Sequence, residues 1–448
     1  MSATTDDARV RVSAAIDATA DDLIAFLSAY VQQRSVNPGR ATREEPGGTR
    51  DAQVWLRDEL ATWHCFDTLD LWEVETDQPN LAAVASGRGR TGQALVYNGH
   101  TDTVQVSPEQ RAAWIGGDPF SGAVIDGKLY GRGATDMKAG NAAFAWAIRA
   151  IRQAGLAPAS DVTATFSIGE ETGEADIGPL SVLRRGYRAP LILNGEPTNL
   201  RVAPATMGWF FFRIVIEGKS LHPAARYTAI FPQPGDAPPP GVDAIEKGRK
   251  IMDALSHLER DWALYQHHPV MPPGGMNMCV VSIQGGSYRA EMPPSCEIVY
   301  AVVYNPALRG EQVLAAIQEA IDGVVRSDSW LRAHPPRLDY PVIHQVLEPV
   351  NLPLDHEAVQ ALSAAYRSAL GEEPAFGCLP GPCDANIMSE EGETTILFGP
   401  GDLAFGAHGT NEYVPVADVI AACKVYAHLI IDWCGVVAAG NGPLPSQA

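Results

Sequence analysis

Cysteine is scarce in this sequence, and its placement argues against a disulfide-stabilised fold. Seven cysteines are scattered through 448 residues, and an odd number without short regular spacings is not typical of a disulfide framework. The nearest pair, Cys378 and Cys383, lacks the C-x-x-C spacing of a redox or zinc motif. We therefore expect buried free thiols and a reducing, cytoplasmic compartment.

Long apolar segments and targeting signals are also missing. No apolar run reaches the roughly 20 residues that a membrane-spanning helix needs. The first residues, MSATTDDARVRVSAAID, lack the basic start and the apolar core of a secretory signal peptide. Both observations favour a cytoplasmic protein with no membrane partner.

Positive charge is in short supply as well. The chain has 53 acidic residues against 33 lysines and arginines, which gives a formal net charge of −20. This balance disfavours nucleic acid or an anionic membrane surface as the partner. The apolar fraction of 46% and the charged fraction of 19% are those of an ordinary globular protein, so wholesale disorder is excluded.

Strand-like and helix-like segments alternate along the first 205 residues. An amphipathic helix, ADDLIAFLSAYVQQRS, opens this part, and a second helix, DAQVWLRDELATW, follows a loop. The apolar runs NLAAVAS, QALVYNGH, DVTATFSIGEE and APLILNGEP then alternate with the helical segments NAAFAWAIRAIRQAG and SVLRRG. This alternation predicts an α/β fold with an open, twisted, mostly parallel sheet flanked by helices.

The pattern changes near Met207 and resumes after about residue 342. Between these points the order is strand, helix, two strands, helix and strand, running from GWFFFRIVIEGKS to PPRLDYP. This β-α-β-β-α-β order is that of a ferredoxin-like domain. We predict a catalytic domain made of residues 1–205 and 343–448, with a smaller domain, residues 206–342, inserted between them; two domains suit a chain of this length.

Acids and a histidine stand at the ends of three apolar strands. His100 and Asp102 follow one strand, Glu170 and Glu171 end another, and Glu196 ends a third. Each group alone is explained by an ordinary capped or solvated strand end. Strand ends of open α/β sheets are, however, where binding sites form. Adjacent residues of a strand also point to opposite sides, so one of the paired glutamates can bind a metal while its neighbour faces a reacting water.

Two glycine-rich segments add a carboxylate and a histidine. Asp136 lies in YGRGATDMKAGNAA just before a predicted helix, where a role as N-cap would also account for it. His408 lies in FGAHGTNEYV, where a surface hydrogen bond is the alternative. Together, two histidines and three carboxylates, one of them shared, suit two closely spaced divalent ions, and Zn²⁺ accepts this mixed set of ligands. A further acid left unligated would be the general base.

Seven motifs carry a resemblance that spans nearly the whole chain. They occur in the order GHTDTV, YGRGATDMKAG, GEETGE, NGEPT, GKSLHP, GVDAI and AHGTNEYV. The sequence resembles the co-catalytic zinc metallopeptidase and amidohydrolase family of acetylornithine deacetylase, succinyl-diaminopimelate desuccinylase, aminoacylase and glutamate carboxypeptidase. The resemblance implies a zinc-peptidase-like catalytic domain, an inserted lid or dimerisation domain, and a homodimer formed through that domain.

The resemblance also implies a role for each candidate residue. Five side chains become metal ligands, two for each ion and one bridging both: His100 with Glu196, His408 with Glu171, and the bridging Asp136. Glu170 becomes the general base, and Asp102 the partner that orients His100. One or two divalent ions are implied, zinc first, with manganese or cobalt as alternatives. The peptide bond between Asp136 and Met137 is implied to be cis.

Substrate contacts follow the family less closely. His222, in GKSLHPAARY, matches a family histidine that reaches the active site of the partner subunit and would donate to a developing oxyanion. Ala290 stands where an asparagine is usual, and Tyr304 or a neighbour stands where an arginine usually binds the substrate carboxylate. Arg289 is a candidate replacement, because a guanidinium binds a carboxylate through two hydrogen bonds, although a surface cation is the alternative. Asn277 is a second candidate substrate contact.

The activity implied is metal-assisted hydrolysis of a carbon–nitrogen bond in a small, carboxylate-bearing molecule. Glu170 would remove a proton from the attacking water and return it to the departing nitrogen. Deacylation of an N-acyl amino acid ranks first, and carboxypeptidase or dipeptidase action ranks second. Hydrolysis of a ureido or aromatic-amine bond ranks third and is favoured by the missing carboxylate clamp. A non-catalytic binding protein is the competing class, but such a relative should have lost a ligand or the base.

Overall fold

The structure is a computed structural model that describes residues 4–37, 48–89, 91–230, 238–286, 288–343 and 345–439. The chain forms two compact units. The first unit comprises Met1–Ala205, Val350–Leu379 and Cys383–Ala448, and the second comprises Thr206–Pro349 with Pro380–Pro382. Within the described ranges, every helix is too short or too polar to cross a membrane.

The amino-terminal part of the first unit alternates helices and strands. Its helices are α1 (Thr5–Ala18), α2 (Ala20–Gln32), α3 (Thr49–Thr62), α4 (Pro108–Ala112), α5 (Ala139–Gln153) and α6 (Pro179–Arg184). Its strands are β1 (Thr68–Glu75), β2 (Gln78–Ala85), β3 (Leu95–His100), β4 (Ala123–Ile125), β5 (Lys128–Tyr130), β6 (Leu156–Pro158), β7 (Val162–Ser167), β8 (Leu191–Asn194) and β9 (Val202–Thr206).

Helix α1 precedes the helix that we expected to open the fold. The Thr4 hydroxyl caps it by accepting a hydrogen bond from the Asp7 backbone N–H at 3.3 Å. Ala8, Val12 and Ile16 are fully buried, and their spacing of four residues places them on one face of the helix. The many acids and arginines between these residues hide that stripe in the sequence.

The second unit contains four strands and four helices among the residues described there. They are β10 (Gly208–Glu217), α7 (Tyr227–Ile230), α8 (Ala244–Tyr265), β11 (Asn277–Gly285), β12 (Ser295–Tyr304), α9 (Gly310–Ser327), α10 (Ser329–Ala333) and β13 (Arg337–Asp339). The strands form an antiparallel sheet in the order β11-β12-β10-β13. Residues of β10 alternate between buried and half-buried, as expected for a sheet with one face against helices. The predicted ferredoxin-like order is confirmed.

The carboxy-terminal part returns to the first unit. Its elements are α11 (Glu357–Leu370), β14 (Phe376–Leu379), α12 (Asp384–Glu390), β15 (Thr395–Leu397), β16 (Tyr413–Pro415), α13 (Val416–Leu429) and β17 (Val436–Ala438). Strand β15 lies between β8 and β9, so both ends of the chain build one sheet.

The main sheet of the first unit has eight strands in the order β1-β2-β7-β3-β8-β15-β9-β14. Strands β7, β3, β8 and β15 are mutually parallel, whereas β2 is antiparallel to β7 and β9 is antiparallel to β15. Helices cover the sheet: the alanine-rich α5 packs against α13, and Tyr97 of β3 stacks on Phe144 of α5 with ring centroids 4.3 Å apart. The predicted α/β class, with a mostly parallel sheet flanked by helices, is confirmed.

All seven cysteines lie within the described residues and are free thiols. Cys65, Cys296, Cys383, Cys423 and Cys434 are buried, as expected. Cys378 is half-buried, and Cys279 is exposed, because it lies on the edge strand β11 of the second unit. Burial was therefore the wrong expectation for Cys279.

Candidate metal centre

Three parallel strands bring the first predicted ligands to one edge of the main sheet. His100 is the last residue of β3 and pairs with Ser167, the last residue of β7. On the other side of β3, Asn98 pairs with Asn194, the last residue of β8. Because the strands are parallel, the segments that follow them emerge at the same edge. His100 there is 1% exposed, and Glu196, two residues beyond β8, is 4% exposed.

Glu170 and Glu171 lie in a turn after β7, not on the strand as expected. β7 ends at Ser167, and Gly169 has a φ of 87°, in the left-handed region that glycine adopts most readily. The carbonyl of Gly169 accepts a hydrogen bond from the Glu174 backbone N–H at 2.7 Å, which closes the turn. The alternation of a strand therefore does not set the direction of these two side chains.

The turn nevertheless directs the two neighbouring carboxylates to different histidines. Glu171 Oε2 lies 2.9 Å from His408 Nε2, within hydrogen-bond distance. Glu170 Oε2 lies 3.9 Å from His100 Nε2, which is too long for a hydrogen bond. The Glu170 side chain is 18% exposed and that of Glu171 is 4% exposed, so Glu170 is the more accessible to a small molecule.

Asp136 lies between the two histidines. Its Oδ1 is 3.1 Å from His100 Nε2, and its Oδ2 is 3.4 Å from His408 Nε2. It does not cap the following helix, because the N-cap of α5 is Lys138 and Asp136 lies in an irregular turn before it, with a non-helical φ of −120° and ψ of 90°. The peptide bond between Asp136 and Met137 is cis, as the resemblance implies.

His408 approaches the other ligands from a loop between β15 and β16. Its side chain is 56% exposed, and its φ of 58° is in the left-handed region. Two hydrogen bonds tie the loop to the segment around α4: Gln110 Nε2 donates to the His408 carbonyl at 3.0 Å, and the Ile115 backbone N–H donates to Asn411 Oδ1 at 2.7 Å. Hydrogen bonds from outside the loop therefore hold this ligand.

Asp102 contacts His100 through its backbone rather than through its carboxylate. His100 Nδ1 lies 2.9 Å from the Asp102 carbonyl oxygen, whereas Asp102 Oδ1 is 3.8 Å away. A proton on Nδ1 donated to this carbonyl leaves the lone pair of Nε2 for a metal. The Asp102 carboxylate instead accepts hydrogen bonds from Asn37 Nδ2 at 3.1 Å and from the Gly169 backbone N–H at 3.0 Å. Asp102 is thus linked both to the His100 ring and to the turn that carries Glu170.

Burial and mutual repulsion shift the ionisation of these groups. Burial raises the pKa of Glu196 to about 8, and it raises the pKa values of Glu170 and Glu171 above their usual range. Hydrogen bonds to Asp136 and Glu171 raise the pKa of His408 to about 10. Four clustered carboxylates thus share only two imidazoles, an excess of negative charge that a divalent cation would balance.

The distances between these groups fit metal coordination. The ligand atoms of His100, Asp136 and Glu171 lie within 4.8 Å of one another. Adjacent ligand atoms of tetrahedral zinc, with bonds of about 2.0–2.1 Å, are roughly 3.3 Å apart, which is close to the two distances from Asp136 to the histidines. Glu196 Oε1 is buried without a hydrogen-bond partner among the described residues and lies 3.8 Å from His100 Nε2. A bound cation would satisfy this oxygen.

Two further polar residues support the predicted ligands: Asn141, which sequence reasoning missed, and Asp384, which the resemblance marks as a structural aspartate in CLPGPCDAN. Asn141 Nδ2 donates to the His100 carbonyl at 2.7 Å, and its Oδ1 accepts from the Tyr97 hydroxyl at 3.0 Å. Asp384 is 2% exposed, and its Oδ2 accepts from Asn98 Nδ2 at 3.0 Å and from a serine hydroxyl of β7 at 2.9 Å. Their presence in segments otherwise made largely of alanine or apolar residues could have indicated a buried hydrogen-bonding role.

A buried ion pair between Arg132 and Glu412 was also missed. Arg132 Nη1 lies 2.6 Å from Glu412 Oε2, and each side chain is 1% exposed. Both residues stand inside the motifs that carry Asp136 and His408, namely YGRGATD and HGTNEYV. Their position in those motifs could have identified them as residues of the site.

The second unit carries the other predicted site residues. His222 is exposed at the start of a short 3₁₀ turn, and its Nδ1 accepts a hydrogen bond from the Ala224 backbone N–H at 3.2 Å, which leaves Nε2 as the donor. Arg289 is exposed in a neighbouring turn. The two segments are joined by the Met292 backbone N–H, which donates to the Leu221 carbonyl at 2.8 Å.

Asn277 and Tyr304 are held within the second unit. Asn277 begins β11 and donates through Nδ2 to the Gly275 carbonyl at 2.8 Å. Tyr304 is fully buried, and its hydroxyl donates to Glu348 Oε2 at 3.0 Å. Tyr304, expected with its neighbours where the family usually places an arginine, is thus a buried phenol.

The sequence profile described as Peptidase family M20/M25/M40 matches residues 96–432. The matched region contains all the residues of the candidate centre. The chain belongs to this family. The predicted resemblance is thereby confirmed, and as an M20 hydrolase the protein acts on amide-type carbon–nitrogen bonds.

Individual relatives agree with this assignment. The M20 enzyme is 28% identical over 429 residues to N-formyl-4-amino-5-aminomethyl-2-methylpyrimidine deformylase of Halalkalibacterium halodurans, covering 94% of this chain and 96% of the relative. It is 29% identical over 360 residues to acetylornithine deacetylase of Myxococcus xanthus, covering 80% of this chain and 85% of the relative. Human carnosine dipeptidase 1 shares the fold with a TM-score of 0.66 and 16% identity, covering 95% of this chain and 98% of that structure.

Proposed function

We propose that this M20 enzyme is a metal-dependent amidohydrolase in which Asp136 bridges two divalent ions. His100 and Glu196 would hold one ion, here called the His100-side ion, and Glu171 and His408 would hold the other, the His408-side ion. The observation that carries the proposal is the position of Asp136, whose two oxygens face two different histidines at 3.1 and 3.4 Å. Zinc is the first candidate for this set of imidazole and carboxylate ligands, with manganese or cobalt next.

Each part of the centre would contribute a separate function. When bound, the ions would supply Lewis acidity and a water whose pKa is near neutral. Asp102 and Asn141 hold the His100 ring and backbone, and the Glu171 carboxylate orients the His408 ring. His100, Asp136 and Glu196 are buried, so bulk water is excluded from this part of the proposed centre.

Glu170 is proposed as the general base and acid. Its carboxylate is close to His100 but makes no hydrogen bond to either histidine at its distance of 3.9 Å, so it is free to contact a water or a substrate nitrogen. Burial raises its pKa, which improves its ability to remove a proton from water. It would then deliver that proton to the departing nitrogen, which releases a carboxylic acid and an amine.

The proposed substrate is a small N-acyl compound, foremost an N-formyl derivative of an aminopyrimidine. Support comes from the likeness to the pyrimidine deformylase over 94% of this chain. Support also comes from the second unit, where Ala290 and the buried Tyr304 stand in place of the usual residues that bind an amino-acid carboxylate. A substrate without an α-carboxylate does not need that clamp.

Deacylation of an N-acyl amino acid is the second candidate. Arg289 is exposed in a turn whose segment is hydrogen-bonded to that of His222, so a guanidinium is available beside a proposed catalytic donor. Asn277, half-buried at the start of β11, is a further polar side chain proposed to contact such a substrate. Either substrate would be a small molecule.

A homodimer formed through the second unit is part of the proposal. Strand β11 is an edge strand, and Val280, Val281 and Ile283 on it are 42%, 49% and 49% exposed. Exposed apolar edge strands are usually covered, and a second copy of the same strand is the occupant we propose. His222 would then act in the centre of the partner subunit, donating through Nε2 to the developing oxyanion. The free cysteines support a reducing, cytoplasmic location.

The substrate proposal is tested by comparing turnover of two compound sets with the zinc- or cobalt-loaded enzyme. One set contains N-formyl and N-acetyl aminomethylpyrimidines, and the other contains N-acetyl amino acids and dipeptides. We expect kcat/KM to be highest for the N-formyl pyrimidine and unchanged in Arg289→Ala. A preference for N-acetyl amino acids that is lost in Arg289→Ala would establish the second candidate instead. Full activity after exhaustive chelation would overturn the metal-dependent mechanism itself.

A further inference from the structure

Arg132 and Glu412 form an ion pair that is buried next to the candidate centre but contributes no ligand to it. Their charged atoms lie 2.6 Å apart, and both side chains are 1% exposed. Removing two charges from water is costly, and a buried pair often stabilises a fold no better than apolar side chains of the same size would. The hydrogen bonds that each partner makes beyond the pair therefore need to be considered.

Glu412 holds the backbone of the bridging aspartate. Its Oε2 faces Arg132, whereas its Oε1 accepts hydrogen bonds from the backbone N–H groups of Thr135 at 3.0 Å and Asp136 at 3.2 Å. These two donors belong to the irregular turn before α5, where regular helical hydrogen bonds do not fix the chain. The position of Asp136 therefore depends directly on the Glu412 carboxylate.

Arg132 holds the loop of the second histidine. Its Nη1 faces Glu412, and its Nη2 donates to the carbonyl of Gly409, next to His408, at 2.9 Å. The guanidinium also lies over the Trp114 ring, 5.5 Å from the centroid, which restricts its orientation. A guanidinium can donate to a carboxylate and to a carbonyl through two different nitrogens, whereas the single ammonium of lysine cannot reproduce this geometry.

The pair thus connects two loops that meet nowhere in the main sheet. One loop, residues 131–136, carries Asp136, and the other, residues 406–412, carries His408. A backbone hydrogen bond from the Gly131 N–H to the Glu412 carbonyl at 2.9 Å joins the same two loops. Strands β5 and β16, which flank these loops, pair with each other outside the main sheet, and the Gly131 hydrogen bond continues that pairing. Beyond this point, the separation of Asp136 and His408 depends on the side-chain hydrogen bonds of Arg132 and Glu412.

We propose that Arg132 and Glu412 are positioning residues for the His408-side ion. They hold Asp136 and His408 at the separation that this ion requires and thereby set its affinity, while His100 and Glu196 are held by strand ends. The inference rests on the proposed function, because it presupposes the metal centre. It differs from a purely structural role, which would lower stability without changing the affinity of the folded protein for metal.

The test measures metal binding rather than turnover. Full-length Arg132→Lys and Glu412→Gln proteins are stripped of metal and titrated with Co²⁺, and binding is followed by calorimetry and by visible absorption. His408→Ala identifies which binding step belongs to the His408 side. Asp328→Asn is the matched control, because Asp328 is a buried carboxylate paired with Lys247 at 2.7 Å in the second unit and carries no proposed ligand.

We expect both variants to weaken the step that His408→Ala removes by about 10- to 100-fold, the usual effect of losing a residue that orients a metal ligand. The other step, which shares only Asp136 with this cluster, should weaken clearly less, and Asp328→Asn should bind as the wild type does. Thermal unfolding of the metal-free proteins checks folding. If Glu412→Gln does not fold, Arg132→Lys, which keeps the charge but not the fork, decides the question.

Two outcomes separate the failure of this inference from failure of the proposed function. Wild-type binding of well under one Co²⁺ per chain would overturn the metal centre and, with it, the positioning role. Normal wild-type binding, with both steps unchanged in folded Arg132→Lys or Glu412→Gln, would overturn the positioning role alone. Equal weakening of both steps would also overturn it, because the pair holds two ligands of the His408-side ion but only the shared Asp136 of the other.

Discussion

The His100 side and the His408 side of the proposed centre are built from different kinds of structure. His100 and Glu196 lie at or just beyond the ends of neighbouring parallel strands and are almost completely buried. His408 lies in a loop with its side chain 56% exposed, and its partner Glu171 lies in a turn. The bridging Asp136 belongs to neither a strand nor a regular helix.

The difference shows two ways to fix a metal ligand. On the His100 side, the hydrogen bonds of the sheet fix the backbone, so ligand position follows from strand register. On the His408 side, side chains such as Gln110 and Arg132 replace that ladder by holding carbonyls of the loop. We therefore expect substitutions outside the ligand set to affect the two sides unequally.

The largest effect should come from substituting the neighbouring Glu170 and Glu171 one at a time. Glu170→Gln should lower kcat by about 10²- to 10⁴-fold, because the base is removed, while metal content stays unchanged. Glu171→Gln should instead lose the His408-side ion, because its carboxylate lies beside that histidine. Kinetics combined with metal analysis makes the distinction, with Glu319→Gln on an exposed helix surface as the control. Loss of metal in Glu170→Gln with retention in Glu171→Gln would exchange the two roles.

A second, somewhat smaller effect is expected for His222, which belongs to neither side. His222→Ala should lower kcat about 10²- to 10³-fold through loss of a donor to the oxyanion, with both ions still bound. If His222 acts in the partner subunit, mixing His222→Ala with Glu170→Gln chains should restore part of the activity, since a mixed dimer contains one intact centre. Activity that stays at the level of the two separate variants would contradict action between subunits.

Asp102→Asn should disturb mainly the His100 side. The carboxylate accepts hydrogen bonds from Asn37 and Gly169, and its change to an amide should shift the Asp102 backbone, whose carbonyl contacts the His100 ring. The turn at Gly169 also carries Glu171, so the His408 side should be affected as well, but less, because other hydrogen bonds hold the His408 loop. We expect the His100-side ion to bind about 10- to 100-fold more weakly, and the His408-side ion to change less. Co²⁺ titration measures both. Weaker binding of the His408-side ion alone would show that Asp102 supports that side of the centre instead.

The smallest effect is expected for His428, a buried histidine that is hydrogen-bonded to two serines, whereas His100 lies beside carboxylates. His428 of α13 is 2% exposed, between the hydroxyls of Ser13 and Ser368, and burial lowers its pKa to about 4. The unfolded chain takes up a proton on this residue below its ordinary pKa of 6.5, whereas the folded chain does so only near pH 4. Stability should therefore fall as the pH falls through this window, by about 1 kcal/mol between pH 6.5 and 5.5.

Denaturant unfolding of the metal-free wild type and His428→Gln at the two pH values isolates this contribution. Every other titrating group is common to both proteins and cancels in the comparison. The wild type should lose more stability than the variant. An equal loss in both proteins would show that His428 is already protonated in the fold or is not sheltered from water.

The sequence allowed much of the fold to be predicted, because hydrophobic periodicity is strong in the buried elements. Strands such as β3 and β7 are buried throughout, and their β-branched and apolar residues make them recognisable as strands. In the second unit, the alternation of buried and half-buried residues identifies β10 as a strand with one face against helices. Helix α1 was missed because its buried stripe is only one residue wide per turn and is flanked by charges. Such a weak pattern does not distinguish a helix from a polar terminus.

The candidate site was predictable in its residue types but not in its geometry. Histidines and carboxylates at strand ends can be read from the sequence, whereas the turn at Gly169 depends on a contact with Asp102 that is distant along the chain. Asp102 was correctly predicted as the partner of His100, but its contact through the backbone carbonyl rather than the carboxylate depends on the local backbone conformation. Arg132 and Glu412 were missed because their pairing depends on tertiary structure, which brings together residues 280 positions apart.

The place of β15 in the main sheet has a consequence for how the protein is made. This strand comes from the last quarter of the chain, yet it lies between β8 and β9, which are synthesised much earlier. A nascent chain that has already emerged up to β9 still lacks the strand that joins β8 to β9, and it also lacks His408. Synthesis must therefore proceed past His408 before a complete sheet and a complete set of proposed ligands can exist together.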